Sequence, residues 1–222
     1  MNSRNLFKSL INKTIKPLIE IYLSKDRNYK YGDIHLTIFK GVFHPGLFFS
    51  TKILLGYLKQ FDLTNTTFLE LGAGSGLISI YASKKNGKVT ATDISELSVK
   101  NIKHNSEKNK TGIRIIHSNL FETIPHEKFD FILINPPYYK RDPKTENEFA
   151  WYCGEHSEYF IKFFRELSAY IHPQTKAIMV LSEDCNLEEI KSIALKNNFQ
   201  MLLKKKYFRY WEINYVFEIV TA

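Results

Sequence analysis

The run Glu70-Leu71-Gly72-Ala73-Gly74-Ser75-Gly76 restricts this chain more than any other feature. An apolar stretch over residues 66–71 leads into it and reads as a strand; residues 76–85 follow it and read as a helix. Closely spaced glycines at such a junction let backbone amides approach a ligand with no Cβ in the way. Strand, glycine turn and helix in that order belong to α/β architectures.

The rest of the chain repeats the alternation. Residues 88–92, 113–117, 129–134 and 177–181 read as strands, and 156–171 and 187–196 as helices. Ser95 has the chemistry of a helix N-cap. Residues 199–208 and 212–220 read as a closing strand pair. We therefore expect a Rossmann-like, doubly wound, mainly parallel sheet with helices on both faces. Ahead of it, residues 29–43 have strand composition with a turn at Gly32-Asp33, and residues 48–61 are apolar at helical spacing. Leu6, Phe7, Leu10, Ile11 and Ile15 suggest an N-terminal basic amphipathic helix, interrupted at Pro17. At 222 residues the chain has room for one good core. We divide it into an N-terminal arm and hairpin, 1–45, and a main domain, 46–222.

The glycines of the loop narrow the ligand. A dinucleotide fingerprint has the form G-x-G-x-x-G; here the glycines fall at 72, 74 and 76, and Leu77 stands next. Glu70 would repel a phosphate yet can help hold a cationic amino-acid group. That combination favours S-adenosylmethionine over NAD. Asp93 ends the second strand, where a carboxylate accepts both ribose hydroxyls; it is equally placed to cap the helix at Ser95. Ile94 would pack beside the adenine, with Asn119 and Leu120 at its edge. Candidate cofactor residues are therefore Glu70, Gly72, Ala73, Gly74, Gly76, Asp93, Ile94, Asn119 and Leu120.

About sixty residues further on, Asn135-Pro136-Pro137-Tyr138 follows another apolar strand. In a parallel sheet, ligands bind beyond the strand C-termini, so this segment faces the same crevice. A conjugated amide or exocyclic amine is a poor nucleophile. The Asn135 side-chain oxygen and the Pro136 carbonyl can accept its two N–H bonds, orienting the nitrogen. The paired prolines stiffen the turn, and Tyr138 offers a π face to a planar acceptor. Catalysis at such a site is positioning plus electrostatics, by Asn135, Pro136, Pro137 and Tyr138.

Further candidates carry less weight. His44-Pro45-Gly46 could line the acceptor pocket or form a surface turn. Residues 139–152 could be a substrate-contacting loop. Lys204, Lys205, Lys206 and Arg209 stand among Tyr207, Phe208, Tyr210 and Trp211. This mixture suits RNA and equally suits an edge strand protected by charge. The formal net charge of +8 admits polyanionic partners. Cys153 and Cys185 show no metal or disulfide spacing, which fits a reducing, cytoplasmic setting. No apolar run is long enough to span a bilayer. Residues 1–17 lack the cleavage pattern of a secretory signal and the arginine content of a transit peptide.

At these residues the chain resembles class I S-adenosylmethionine-dependent methyltransferases, in their HemK-like, "methyltransferase small" branch. The likeness runs from Val42 to the C-terminus. Glu70 to Gly76 matches the cofactor loop, Asp93 the ribose-binding acid, Asn119-Leu120-Phe121 the third cofactor segment, and Asn135 to Tyr138 the acceptor motif. The resemblance implies a seven-stranded sheet with an antiparallel C-terminal strand. It also implies methyl transfer to a glutamine amide of a protein or to an amine of a nucleic-acid base. The chain departs from the branch in two ways. Phe48 and Phe49 stand where an acidic residue is usual, and the N-terminal part is shorter than the docking domain of bacterial release-factor enzymes. We expect a metal-free monomer acting on a macromolecule. The competing expectations are a non-catalytic S-adenosylmethionine-binding module that associates with RNA, and an NAD-dependent oxidoreductase.

Overall fold

The computed structural model describes residues 22–47, 49–209 and 212–222. The expected N-terminal helix, together with Phe48, Tyr210 and Trp211, lies outside them. Among the described residues, nine strands and five α-helices follow in order. They are β1 (Arg27–Tyr31), β2 (Ile34–Ile38), α1 (Phe49–Leu58), β3 (Thr67–Leu71), α2 (Leu77–Lys84), β4 (Lys88–Asp93), α3 (Glu96–Lys108) and β5 (Ile113–His117). Then come β6 (Phe131–Ile134), α4 (Glu158–Leu167), β7 (Lys176–Ser182), α5 (Leu187–Lys196), β8 (Phe199–Arg209) and β9 (Glu212–Thr221).

β3 to β9 form one seven-stranded sheet in the order β5-β4-β3-β6-β7-β9-β8. β3 pairs in parallel with β4 and β6, and β7 in parallel with β6; β9 alone runs against its neighbours, β7 and β8. This is the expected doubly wound sheet with its antiparallel last strand. Side chains alternate across it with period two. Leu69, Leu71, Ile132, Ile134, Met179 and Leu181 join one core, with Phe160, Phe163 and Phe164 of α4 and Ile190 of α5. Phe68, Phe131, Leu133, Ile178 and Val180 join the opposite core, with Leu54, Leu55 and Leu58 of α1 and Ile78 of α2. Strands buried on both faces read as continuous apolar runs, and the four residues of β6 are all buried.

Several elements are shorter than their sequence patterns, among them α1, which spans Phe49–Leu58 of the expected 48–61. The helix read over 156–171 is α-helical only over Glu158–Leu167, then tightens into a 3-10 turn over Ser168–Tyr170. β6 begins at Phe131, because the Phe129 N–H is taken by the Tyr170 carbonyl at 3.0 Å rather than by a strand. Ser95 caps α3 as expected, its side chain accepting from Ser98 N–H at 3.3 Å.

β1 and β2 make a separate antiparallel hairpin, turning through Gly32 at φ 58° and Asp33. Its free edge is sealed by a side-chain ladder. Asn109 exchanges two hydrogen bonds with the backbone of His35 (3.0 and 2.8 Å), and Asn105 does the same with Thr37 (2.8 and 3.0 Å). Asn101 accepts from Phe39 N–H at 3.3 Å and donates to the Thr37 carbonyl at 2.7 Å. The match is geometric: four helical residues rise about 6 Å, and two strand residues rise about 6.6 Å. Asparagines four apart, two on α3 and one at its C-cap, thus meet the backbone of β2, and one helix face acts as a pairing strand.

Candidate active site

The strands β3 to β6 end on one rim, and their C-terminal loops surround a cavity of about 640 Å³. Parallel topology forces this convergence. Of the residues singled out in the sequence, Glu70, Gly72, Ala73, Gly74, Asp93, Ile94, Asn119, Leu120, Asn135, Pro136, Pro137 and Tyr138 all line it. Gly76 is not in the lining. It is the left-handed N-cap of α2 at φ 79°, and a Cβ there would meet Ile102 Cγ2 at 3.3 Å. Its glycine serves helix packing.

The glycine loop is held by the end of the neighbouring strand β4. Ala73 N–H donates to the Thr92 carbonyl at 2.9 Å, and Gly74 N–H to Asp93 Oδ2 at 2.8 Å. Gly72 and Gly74 sit at φ 70° and 55°, and a Cβ on Gly72 would meet open space. The backbone there is accessible to a ligand. Asp93 has a second task, since its Oδ1 accepts from Ser95 N–H at 2.9 Å. Asp93 thus lines the cavity while bracing the turn ahead of α3, whose N-cap is Ser95. Burial raises the Asp93 pKa, against hydrogen bonds from the Ser95 and Gly74 amides.

Glu70, the penultimate residue of β3, is 6% exposed. Its Oε2 accepts from the Ser79 amide at 2.8 Å and from the Ser79 hydroxyl, both on the first turns of α2. Burial pushes this carboxyl up to about 8, against the Ser79 hydrogen bonds and with a further push from Asp93. A carboxyl titrating that high beside a cavity is poised to ionise when a cation arrives.

At the acceptor end, the Tyr138 hydroxyl donates to Asn135 Oδ1 at 2.9 Å. Burial drives the Tyr138 phenol far above its ordinary range, with a hydrogen bond from Ser50 opposing it, so the group stays a neutral donor. Asn135 Oδ1 keeps one lone pair beyond the one Tyr138 uses.

The segment after this motif folds back on itself. Tyr138 and Tyr139 N–H both donate to the Trp151 carbonyl (3.1 and 2.9 Å), and Cys153 N–H donates to the Tyr139 carbonyl at 2.9 Å. Arg141 lies 3.7 Å over the Tyr152 ring. Trp151 reaches across to Phe43, ring centres 5.4 Å apart. The cavity thus gains an aromatic wall of Phe43, Trp151, Tyr152 and Tyr159. Tyr159, on α4, gave no motif to follow; only the mixture of Glu158, Tyr159 and Lys162 among the phenylalanines of that helix hints at a polar rim. His44 is buried at 3% exposure and turns away from the cavity, between the rings of Tyr22 and Tyr29. Its neighbours Phe43 and Pro45 do the lining.

Among the described residues, no cluster of three or more His, Cys, Asp or Glu could hold a metal, and no helix is long and apolar enough to cross a membrane.

A sequence profile of the methyltransferase small domain matches residues 33–207. A Methanocaldococcus jannaschii protein, provisionally named a protein N5-glutamine methyltransferase, is 36% identical over 138 residues, covering 58% of this chain and 68% of that one. A Rickettsia conorii bifunctional methyltransferase is 49% identical over 82 residues, 35% of this chain, and the chain spans only 16% of its length. Among solved structures, the Thermus thermophilus 16S rRNA N2 G1207 methyltransferase in complex with AdoMet and guanosine superposes with a TM-score of 0.62 at 17% identity, over 87% of this chain and 50% of that one.

Proposed function

The chain belongs to the methyltransferase small domain family, and from that premise we propose that it moves a methyl group from S-adenosylmethionine to a planar amide or amine nitrogen of a macromolecule. One observation carries the reading: the Glu70–Asp93 cofactor wall and the Asn135–Tyr138 pair open into the same cavity. A dinucleotide reading would place phosphate beside the buried carboxyl of Glu70, which offers repulsion once ionised and no cluster of donors. A sulfonium cofactor with an amino-acid arm suits it.

The residues present fit that cofactor. Gly72 and Gly74 leave room for close backbone approach, Glu70 supplies a carboxylate for the ammonium, and Asp93 supplies one for the ribose hydroxyls. Ile94, Asn119 and Leu120 line the place of the base. When bound, the cofactor supplies an electrophilic methyl group on a cationic sulfur. Everything else is the work of this chain. Asn135 Oδ1 and the Pro136 carbonyl accept the two N–H bonds of the acceptor, aiming its lone pair and favouring electron density on the nitrogen. Pro136 and Pro137 keep the turn from relaxing. The aromatic wall excludes water and gives a planar group a surface to lie on. No general base is required before transfer, because the methylated nitrogen loses its proton readily.

The acceptor belongs to a protein glutamine or a nucleic-acid base; the Methanocaldococcus and Thermus relatives support one reading each by name. The protein would then work in the cytoplasm as a metal-free enzyme. The test uses radiolabelled S-adenosylmethionine, the pure protein and a methylation-deficient cell extract, followed by RNase or protease. Label released by RNase identifies a base acceptor, and label released only by protease identifies a protein amide. No label, with cofactor binding intact by calorimetry, overturns the enzyme reading in favour of a binding module.

A further inference from the structure

The asparagine ladder reaches beyond the hairpin it seals. Asn105 is fully buried at 0% exposure. Its Oδ1 accepts from Thr37 N–H at 2.8 Å, and its Nδ2 donates both to the Thr37 carbonyl at 3.0 Å and to the Ser75 carbonyl at 2.9 Å. An asparagine amide has two N–H donors, so both are used. One goes to β2 and the other to the glycine loop. The Ser75–Gly76 peptide is thereby fixed at both ends, because Gly76 N–H donates to the Ala73 carbonyl at 2.8 Å. Its two ladder neighbours hold β2 without reaching the loop: Asn101 bonds to Thr37 and Phe39, and Asn109 to His35 and to its own helix.

A second contact runs the same way. Phe43, on the chain leaving the hairpin, has its Cβ 3.9 Å from where a Cβ on Gly74 would stand. Phe43 also lines the cavity. The loop is therefore linked to β2 through the Asn105 amide of α3, and it lies beside Phe43 on the chain leaving the hairpin.

We infer that Asn105 is a positioning residue for the glycine loop, and that hairpin docking and cofactor binding are linked through its side-chain amide. The inference rests on the reading that this loop holds S-adenosylmethionine. Its logic is reciprocity: a ligand that binds the ordered loop strengthens whatever orders the loop, and the strengthening is felt equally at the other end of the contact. If the Ser75 carbonyl loses its partner, the peptide is free to rotate, and the turn that presents the loop backbone to the cavity is no longer defined. Asn105→Asp tests this. An aspartate of the same shape still accepts from Thr37 N–H but donates to neither the Ser75 nor the Thr37 carbonyl; at the latter, Asn101 remains as a donor.

The experiment uses the full chain, calorimetric titration with S-adenosylmethionine, and amide hydrogen exchange with and without it. In the wild-type protein, cofactor slows exchange at the Thr37 and Phe39 amides. Asn105→Asp binds about tenfold more weakly and loses that cofactor-dependent protection. Asn109→Ala loosens the His35 amide while its affinity stays within about twofold of wild type, since no loop contact is removed. Unchanged hairpin exchange in the wild type on saturation with cofactor overturns the linkage and needs no variant to fold. Wild-type affinity in Asn105→Asp overturns it as well. A wild-type protein that does not bind S-adenosylmethionine overturns the cofactor reading itself, and the linkage with it.

Discussion

The Tyr138 hydroxyl donates its proton to Asn135 Oδ1 across 2.9 Å. Tyrosine at this position is therefore more than a flat surface for the acceptor. An asparagine amide can flip, and a phenol could in principle bond to either end of it. In this structure the phenol bonds to the oxygen end of the amide. Oδ1 is thus held toward the site. Tyr138→Phe keeps the ring and loses the hold, so kcat falls by about tenfold or more, consistent with the sensitivity of aligned sites to small misplacement. Affinity for S-adenosylmethionine, measured by calorimetry, stays as in wild type. A Tyr138→Phe enzyme with full kcat would limit the residue to stacking.

Asn135→Ala removes the acceptor oxygen itself. Loss of one preorganised polar partner of the reacting group costs about 100- to 1,000-fold in kcat in comparable sites. The cofactor wall is built from other loops, so binding of S-adenosylmethionine persists. Single-turnover label transfer and calorimetry on the same preparation separate the two effects. Turnover that survives the change would remove Asn135 from its assigned role.

On the proposed reading, Glu70 makes cofactor binding, as well as stability, depend on pH. Burial pushes its carboxyl up to about 8 in the folded protein, against an ordinary value of 4.5. Between those values the folded state holds a proton that the unfolded state has released. Stability from this group is therefore complete below about 4.5 and is lost as pH rises through about 8. A cation bound beside Glu70 favours the carboxylate, so binding near neutral pH expels a proton. Calorimetry in buffers of different ionisation enthalpy should show that release, and Glu70→Gln should abolish it and flatten the pH dependence of urea unfolding over the same window.

The parts of this site that follow from topology were legible in the sequence. Once residues 66–71 read as a strand feeding a glycine turn, parallel pairing brings Asp93, Asn119 and Asn135 to the same rim, because each ends or follows a strand in that sheet. The parts that depend on chain reversal were not. Trp151 reaches Phe43 only because residues 151–153 fold back along Tyr139, and nothing local in a polar-then-aromatic stretch encodes that return. The ladder of Asn101, Asn105 and Asn109 is regular in sequence, yet asparagines on a helix ordinarily mark its solvent face. Their partners are backbone groups of a distant strand, which carry no side-chain signal. Gly76 is expected in the sequence as part of the cofactor loop; its left-handed backbone and its approach to Ile102 depend on a distant helix and carry no local signal.

That distinction yields a final prediction. Gly76 occupies left-handed backbone at φ 79°, and its absent Cβ would stand 3.3 Å from Ile102 Cγ2. Gly76→Ala meets two penalties. The left-handed conformation costs an L-residue about 1–2 kcal/mol, and the methyl must also displace Ile102, which is fully buried at 0% exposure. Urea unfolding of Gly76→Ala, Ile102→Ala and the double variant separates them. Relief of the contact makes the double variant more stable than the sum of the single losses predicts. The conformational penalty remains in both backgrounds. Strict additivity would mean that Ile102 yields freely and that backbone geometry alone demands glycine. In either case Gly76→Ala shifts the start of α2, where Ser79 meets Glu70, so its cofactor affinity falls without any change in the residues that line the cavity.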